Sequence, residues 1–407
     1  MTAWITVIGV GADGLSGLSA AGRSALQGAA LVVGGARHQE MAADADLAAN
    51  AERLTWSCGI HPAMDEIEKW RGKPVVVLAS GDPMDYGAGS TLARRFDPKE
   101  ITVIPHPGAF SLACARMVWS LPDSITMTVH GRAFAAIHLH LRPGANIVAL
   151  SWNGETPKIL AELLQAKGFG PSKITVFSDM GAADEQCFEG TAEEWPHQDQ
   201  DIPDLNTVCI ECVAGEDAVF WPLTPGLPEA AFEHDSQITK HEIRAVTVAH
   251  LAPQPGQLLW DVGAGCGSVA IEWLRAVKNT HAYAVESDDD RSDFIRRNAD
   301  SLGVPHLGVV MGTAPGALLN LPDPDTIFVG GGVSKADVLE TCWGRLAPGG
   351  TLVANAVTLE AQQKLMAFSA TADATFTRMT AARSGRVGQL TAMRPMMDVL
   401  QIVARKT

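Results

Sequence analysis

The sequence predicts an α/β protein in two parts, and three observations carry that expectation. Short apolar runs alternate with helical patterns over residues 1–215, a Pro-rich stretch interrupts them, and a second strand–helix alternation fills residues 232–407. In the first part, strands are expected at 5–10, 31–34, 74–80, 101–105, 125–130, 146–151, 173–178 and 207–213. Ala- and Leu-rich stretches at 18–26, 90–96, 110–119 and 157–167 have helical spacing between several of them. This is long for one simple sheet, so two α/β lobes joined near Leu121-Pro122-Asp123 are expected.

Pro222, Pro225 and Pro228 would break any helix or central strand, so residues 216–231 read as an interdomain linker. Beyond it a helix is expected at 239–251, with Thr239 as N-cap and Glu242 completing a capping box. Strands at 257–262, 281–286, 308–311, 326–329, 351–354 and 396–403 then alternate with helices at 268–277, 288–302 and 335–346.

Composition narrows the function. The 407 residues are 46% hydrophobic and 19% charged, a globular balance. With 31 basic against 46 acidic residues the net charge is −15, which disfavours nucleic-acid binding. No apolar run approaches the ~20 residues that span a bilayer, so no membrane partner is expected. The N-terminus lacks the basic region of a signal peptide, and seven scattered cysteines suit a reducing cytoplasm. Cys209 and Cys212 form a C-x-x-C, but on a strand their thiols diverge, so neither a redox nor a metal role is expected.

Two glycine-rich turns carry the chemistry. Gly9-Val10-Gly11-Ala12-Asp13-Gly14 follows the first strand and matches G-x-G-x-x-G, where backbone can approach a ligand closely. A dinucleotide site would need an acid at the end of the second strand, and Leu31-Val32-Val33-Gly34-Gly35 offers none. The second turn, Trp260-Asp261-Val262-Gly263-Ala264-Gly265-Cys266-Gly267, joins a strand to a helix. Glu286 ends the next strand 19 residues past Gly267, placed to accept both hydroxyls of an adenosine ribose. The G-x-G-x-G spacing favours a nucleoside without a pyrophosphate, namely S-adenosylmethionine (SAM), over NAD, and Asp261 could pair with the cofactor's ammonium.

These residues carry a resemblance. Residues 239–360 resemble the decarboxylating methyltransferases of cobalamin biosynthesis, through Ile238-Thr239-Lys240-His241-Glu242-Ile243-Arg244, the second glycine turn with Ser268, Ile271-Glu272, Met311-Gly312-Thr313-Ala314-Pro315 and Ile327-Phe328-Val329-Gly330-Gly331-Gly332. Leu346-Ala347-Pro348-Gly349-Gly350 and Ala354-Asn355-Ala356-Val357-Thr358-Leu359-Glu360 extend it. Residues 1–215 resemble the class III tetrapyrrole methylases, through the first glycine turn, Ser80-Gly81-Asp82-Pro83-Met84-Asp85-Tyr86-Gly87 and Pro107-Gly108-Ala109-Phe110-Ser111. Gly34-Gly35-Ala36-Arg37-His38 and His130-Gly131-Arg132 narrow this half to the C5-methylating branch. Cys266 stands where the family often has Thr, and Phe110 where it often has Ser.

The resemblance implies an N-terminal class III tetrapyrrole methylase of two α/β lobes, for C5 methylation, followed by a class I Rossmann-like SAM methyltransferase, for C15 methylation and loss of CO2 from the C12 acetate. It implies two SAM sites per chain. Gly11, Ala12, Gly81, Asp82, Asp85, Ser111 and Leu150 would form the first, and Thr239, Asp261, Gly263, Ala264, Gly265, Cys266, Gly267, Glu286, Thr313 and Ala314 the second. The substrate would be a tetrapyrrole polycarboxylate, which an acidic protein must bind through local cations. Arg132, Lys240, Arg244, Arg383 and Arg386 are the candidates, the last two in a basic, glycine-bearing loop. Further copies of the chain are the expected protein partner. No catalytic side chain or metal site stands out, and a methyltransferase for another corrinoid precursor, with one active half, remains the alternative.

Overall fold

The computed structural model describes residues 3–43, 45, 47–48, 50–56 and 60–407. The chain divides into two compact units, Met1–Arg132 with Arg142–Ala218, and Ala133–Leu141 with Val219–Thr407.

The first unit holds two sheets. Strands β1 (Ile5–Val10), β2 (Leu31–Gly34), β3 (Glu52–Thr55), β4 (Val75–Ser80) and β5 (Ile101–Ile104) form a parallel sheet in the order β3-β2-β4-β1-β5. Helices α1 (Ala20–Gln27), α2 (Ala36–Met41), α3 (His61–Glu68) and α4 (Ala88–Leu92) alternate with these strands. β4 reads Val-Val-Val-Leu-Ala-Ser and is buried at every residue but the last, as a strand covered on both faces must be. Ser19 starts α1 by accepting the Gly22 N–H at 3.2 Å. The second sheet is mixed, in the order β6-β7-β10-β8-β9, from β6 (Ile125–Thr128), β7 (Asn146–Leu150), β8 (Lys173–Ser178), β9 (Gln186–Thr191) and β10 (Asn206–Glu211). Helices α5 (Ala109–Met117) and α6 (Thr156–Ala166) belong to this lobe. The two-lobe expectation therefore holds, while α2, α3, β3 and β9 were not anticipated.

The second unit contains α7 (His241–Leu251), α8 (Ser268–Ala276), α9 (Asp289–Ser301), α10 (Val338–Arg345) and α11 (Leu359–Phe368). Its sheet comprises β11 (Leu258–Val262), β12 (His281–Glu286), β13 (Gly308–Met311), β14 (Thr326–Val329), β15 (Thr351–Ala356), β16 (Ala374–Met379) and, after a separate hairpin of β17 (Ala382–Val387) and β18 (Leu390–Pro395), β19 (Val399–Arg405). The order is β13-β12-β11-β14-β15-β19-β16, parallel up to β15, with β19 antiparallel to β15 and β16 antiparallel to β19. β11 is the first strand of this sheet in the chain and lies between β12 and β14. The order therefore reverses there, and a crevice opens beyond the strand ends.

The structure corrects three boundary expectations. Residues 219–231 are not a free linker but part of the second unit: Leu227 is in its core, and the Gly226 and Leu227 N–H groups donate to Glu272 at 2.7 and 2.9 Å. Residues 133–141 also belong to this unit, because Leu139 packs against its core and His138 Nδ1 lies 2.8 Å from the Asp300 carbonyl on α9. Thr239 is not the cap of α7; Lys240 holds that position without a side-chain bond, and the Glu242 carboxylate turns to Arg383.

Arg244 is fully buried beside the equally buried Glu272, Nε to Oε1 at 2.7 Å, and its other nitrogens donate to the Thr239 and Leu227 carbonyls. It is therefore a structural cation, not the substrate ligand expected from sequence. The segment 383–390 is likewise not a loop but the β17–β18 hairpin, closed by Gly388-Gln389 with Gly388 at φ +62°. Arg383 lies between Glu229 and Glu242, at 2.8 and 2.5 Å, so this guanidinium too is committed to the chain. Arg386 is exposed and donates to the Gln389 carbonyl at 3.3 Å.

Arg244→Met would leave a buried carboxylate without its cation, at a cost of about 3–5 kcal/mol. Chemical denaturation should show an earlier transition, and a change below about 1 kcal/mol would mean the pair is neutral. The hairpin tether makes a second prediction. Burial raises the Glu229 carboxyl, but Arg383 and the N–H groups of Glu229 and His241 outweigh it and hold the pKa at about 2, against 4.5 ordinarily. A depressed carboxylate contributes stability above its ordinary value and loses it as pH falls through the folded value. The tether should be intact at neutral pH and fade between pH 4.5 and 2. Arg383→Met should loosen it at neutral pH, read as faster limited proteolysis at Val387–Leu390.

Candidate functional site

Each unit builds a cleft where a glycine turn leaves a parallel strand. In the first, β1 and β4 run side by side with Val10 opposite Ser80, so the turns after them are neighbours. A Cβ on Gly9 would stand 2.2 Å from the Gly81 carbonyl, so only glycine permits that approach. The cleft encloses about 490 Å³ between the two lobes, with Gly11, Ala12 and Gly81 in one wall and Phe177, Asp179 and Asn206 in the other. Of the expected ligands, Gly11, Ala12 and Gly81 line it; Asp82, Asp85, Ser111 and Leu150 do not. Asp82 accepts the Met84 N–H of its own turn at 2.8 Å, and Asp85 is exposed, its carboxyl raised by burial and by Asp82. Ser111 is exposed on α5, while Leu150 packs against the Phe110 cluster. Phe110 itself turns inward, edge-on to Tyr86 at 6.1 Å, and Arg132 stacks over the Tyr86 ring at 5.2 Å.

The second cleft lies at the reversal in strand order, about 290 Å³ lined by Gly263, Glu286, Thr313 and Ala314 from the expected set. The turns after β11 and β14 nearly touch: a Cβ on Gly263, at φ +70°, would lie 2.6 Å from the Gly331 Cα. The Gly263 and Ala264 N–H groups donate to the Val285 carbonyl, fixing the turn against β12. Glu286 is held by its surroundings, Oε2 accepting the Gly265 N–H at 2.8 Å and Oε1 the Ser287 and Asp288 N–H groups at 2.8 and 3.1 Å. Oε1 is thereby filled, while Oε2, with one bond, keeps a lone pair.

Thr239, Asp261, Ala264, Gly265, Cys266 and Gly267 lie outside this lining. Asp261 is buried and its Oδ2 accepts the Ala270 N–H at 3.0 Å, so it serves the first turn of α8, which Gly267 cannot cap with a side chain. Its Oδ1 has no partner in the structure. Burial, opposed by the Ala270 bond and reinforced by Glu286, pushes the carboxyl up to about 7. Asp261 thus caps the helix through Oδ2, and it lies outside the cleft lining. Burial also pushes the Cys266 thiol up to about 11 and those of Cys209 and Cys212 to about 12, leaving all three unreactive near neutrality.

Sequence reasoning missed the cations that line the clefts. Arg37 is in the first and Lys335 in the second, and among the described residues neither has an ion-pair or side-chain hydrogen-bond partner. Arg37 could have been found: it follows Gly34-Gly35 at the end of β2, where a dinucleotide site would carry an acid, so a cation there signals an anionic ligand. Lys240, at the N-cap of α7, is also without a side-chain partner among the described residues. Glu229, His241 and Glu242 converge within 4.8 Å, and the cation they surround is the Arg383 guanidinium.

Comparison with known proteins agrees with both halves. Residues 5–196 match the family described as tetrapyrrole (corrin/porphyrin) methylases, and residues 230–406 match a precorrin methyltransferase domain. A precorrin-6Y C(5,15)-methyltransferase [decarboxylating] from Sinorhizobium sp is 43% identical over 398 residues, spanning 98% of this chain and 95% of that one. One of the same name from Mycobacterium tuberculosis is 38% identical, over 98% of each. A probable cobalt-precorrin-6B C(15)-methyltransferase (decarboxylating) from Pyrobaculum calidifontis is 34% identical over 191 residues, 45% of this chain and 98% of that one. The chain belongs to the family of precorrin-6Y C(5,15)-methyltransferases (decarboxylating).

Proposed function

We propose that each unit binds its own SAM, the first methylating C5 of precorrin-6B and the second methylating C15 and releasing CO2 from the C12 acetate to give precorrin-8X. The observation that supports this most is the pair of glycine-turn clefts, one per unit, each at the ends of adjacent parallel strands. When bound, SAM supplies an electrophilic methyl on sulfur that needs no further activation. The Gly263–Gly331 approach leaves backbone where a side chain would fill the cleft, which suits a close-fitting nucleoside. Glu286 accepts from the ribose with the lone pair that remains on Oε2.

The chain's main task is placement. Holding the nucleophilic carbon in line with the methyl can remove up to ~7–11 kcal/mol of barrier. For decarboxylation the macrocycle's imine accepts the electron pair, so the protein has only to orient the acetate and exclude water. With Arg244 and Arg383 committed, the carboxylate grips fall to Arg37 in the first unit and Lys335 and Lys240 in the second, with Arg132 and Arg386 at exposed positions. The exposed Leu390 and Met393 of the hairpin offer the apolar surface for the expected self-association. No helix among the described residues is long and apolar enough to cross a membrane, and the six described cysteines, all free, suit a reducing cytoplasm.

Titration calorimetry on the full chain should give two SAM per chain. Glu286→Ala should weaken one of them by ~1.5–3 kcal/mol, roughly ten- to a hundredfold, and lower C15 methylation and decarboxylation together while C5 methylation persists. A single site in the wild type would overturn the two-site reading. Arg37→Met should raise the tetrapyrrole KM about tenfold or more and leave SAM affinity within twofold, since a charge-assisted contact is worth ~1.5–3 kcal/mol. A loss of SAM affinity instead would place Arg37 on the cofactor's carboxylate.

A further inference from the structure

The first cleft contains a serine backed by a histidine. Ser80, the last residue of β4, is exposed and lines the cleft beside the β1 turn. His38 Nε2 lies 3.1 Å from its Oγ. The imidazole reaches this place because the preceding strand ends in Gly34, where a Cβ would stand 2.9 Å from that of His38. Among the described residues its other nitrogen, Nδ1, is buried without a hydrogen-bond partner.

Resting on the reading of this cleft as the C5-methylating site, the geometry points to the Ser80–His38 pair as the acceptor of the proton that C5 must lose. Methylation exchanges a C5–H bond for C5–CH3. The S–CH3 bond breaks with its electron pair staying on sulfur, and a macrocycle electron pair forms the new C–C bond. The C5–H electrons then return to the conjugated system. The proton passes to Ser80 Oγ as the serine's own hydroxyl proton moves to His38 Nε2, in the tautomer that carries its resting proton on Nδ1. Burial and then Arg37 keep the imidazole pKa below its usual 6.5, so at neutral pH the ring is uncharged and can accept.

Among the described residues that line the cleft, two are charged, and His106 with Asp13 stands behind Gly11. Arg37 adjoins His38 on α2, and Asp179 lies across the cleft. Asp179 holds a left-handed backbone at φ +50° and a carboxyl raised by burial and Asp184 against the pull of Arg37, which makes it the rival base.

The test follows C5 and C15 methylation by the full chain with precorrin-6B and SAM, in single turnovers from pH 5 to 9. Product mass and fragmentation report methyl uptake, and macrocycle absorbance reports the return of conjugation. In the wild type the C5 step should fall as pH drops through the lowered His38 pKa. His38→Gln keeps a hydrogen-bonding group beside Ser80 but cannot take the proton. It should slow the return of conjugation roughly a hundredfold or more, abolish the acidic limb, and leave SAM affinity and C15 methylation within about twofold. Ser80→Ala, a change at an exposed position, should slow the same step with SAM still bound. If His38→Gln keeps the acidic limb, or if Ser80→Ala is as fast as wild type, the proposal fails. Loss of that limb in Asp179→Asn alone would assign the proton to the carboxylate. Absence of C5 methylation in the wild type would count against the underlying reading of the cleft instead.

Discussion

The buried pair of Arg244 and Glu272 organises the entrance to the C-terminal site. Glu272 on α8 gathers the Gly226 and Leu227 N–H groups and the Arg244 guanidinium; Arg244 on α7 returns bonds to the Leu227 and Thr239 carbonyls. Every polar end of the pair is thereby engaged, which is the condition for two charges to sit in a protein interior. One ion pair thus fastens the Pro-rich segment, the start of α7 and α8 to one another. α8 is the helix that the second glycine turn opens, so the turn inherits its position from this arrangement.

Electrostatics divides the cations into two sets. The chain carries a net charge of −15, and several of its arginines neutralise carboxylates of the chain itself. A polyanionic substrate would be repelled by such a surface unless positive charge is left uncommitted where the substrate sits. Arg37 and Lys335, cleft-lining and unpaired among the described residues, meet that requirement; Arg244 and Arg383 do not. Counting basic residues in a motif cannot separate the sets, because the deciding fact is whether an acid distant in sequence folds onto each one. Glu229 lies 154 residues from Arg383, and Glu272 28 from Arg244.

The same distinction governs the acids. Asp261 and Glu286 look alike in sequence, each ending a strand beside a glycine turn. In the fold, Asp261 turns toward α8 and is dehydrated, its carboxyl pushed up to about 7, while Glu286 faces the cleft with three backbone N–H groups behind it. The helix start explains the difference: Gly267 supplies the turn but no capping oxygen, so α8 takes one from the strand below.

Much of the architecture was legible in the sequence, because it rests on local rules. Parallel strands that are covered on both faces require runs such as Val75–Ser80 and Leu258–Val262, and glycine must appear where two backbones nearly touch. The hairpin turn at Gly388-Gln389, between Val387 and Leu390, was missed, because the surrounding glycines and arginines suggested a loop. What only the tertiary structure decided was which groups remain free. The expected linker became core when Leu227 found apolar neighbours, and residues 133–141 joined the second unit for the same reason. Ser80 and His38, 42 residues apart, became neighbours because α2 packs beside β4. Local propensity follows from each residue's own backbone and side chain; burial, pairing and an open lone pair depend on what the rest of the chain brings alongside.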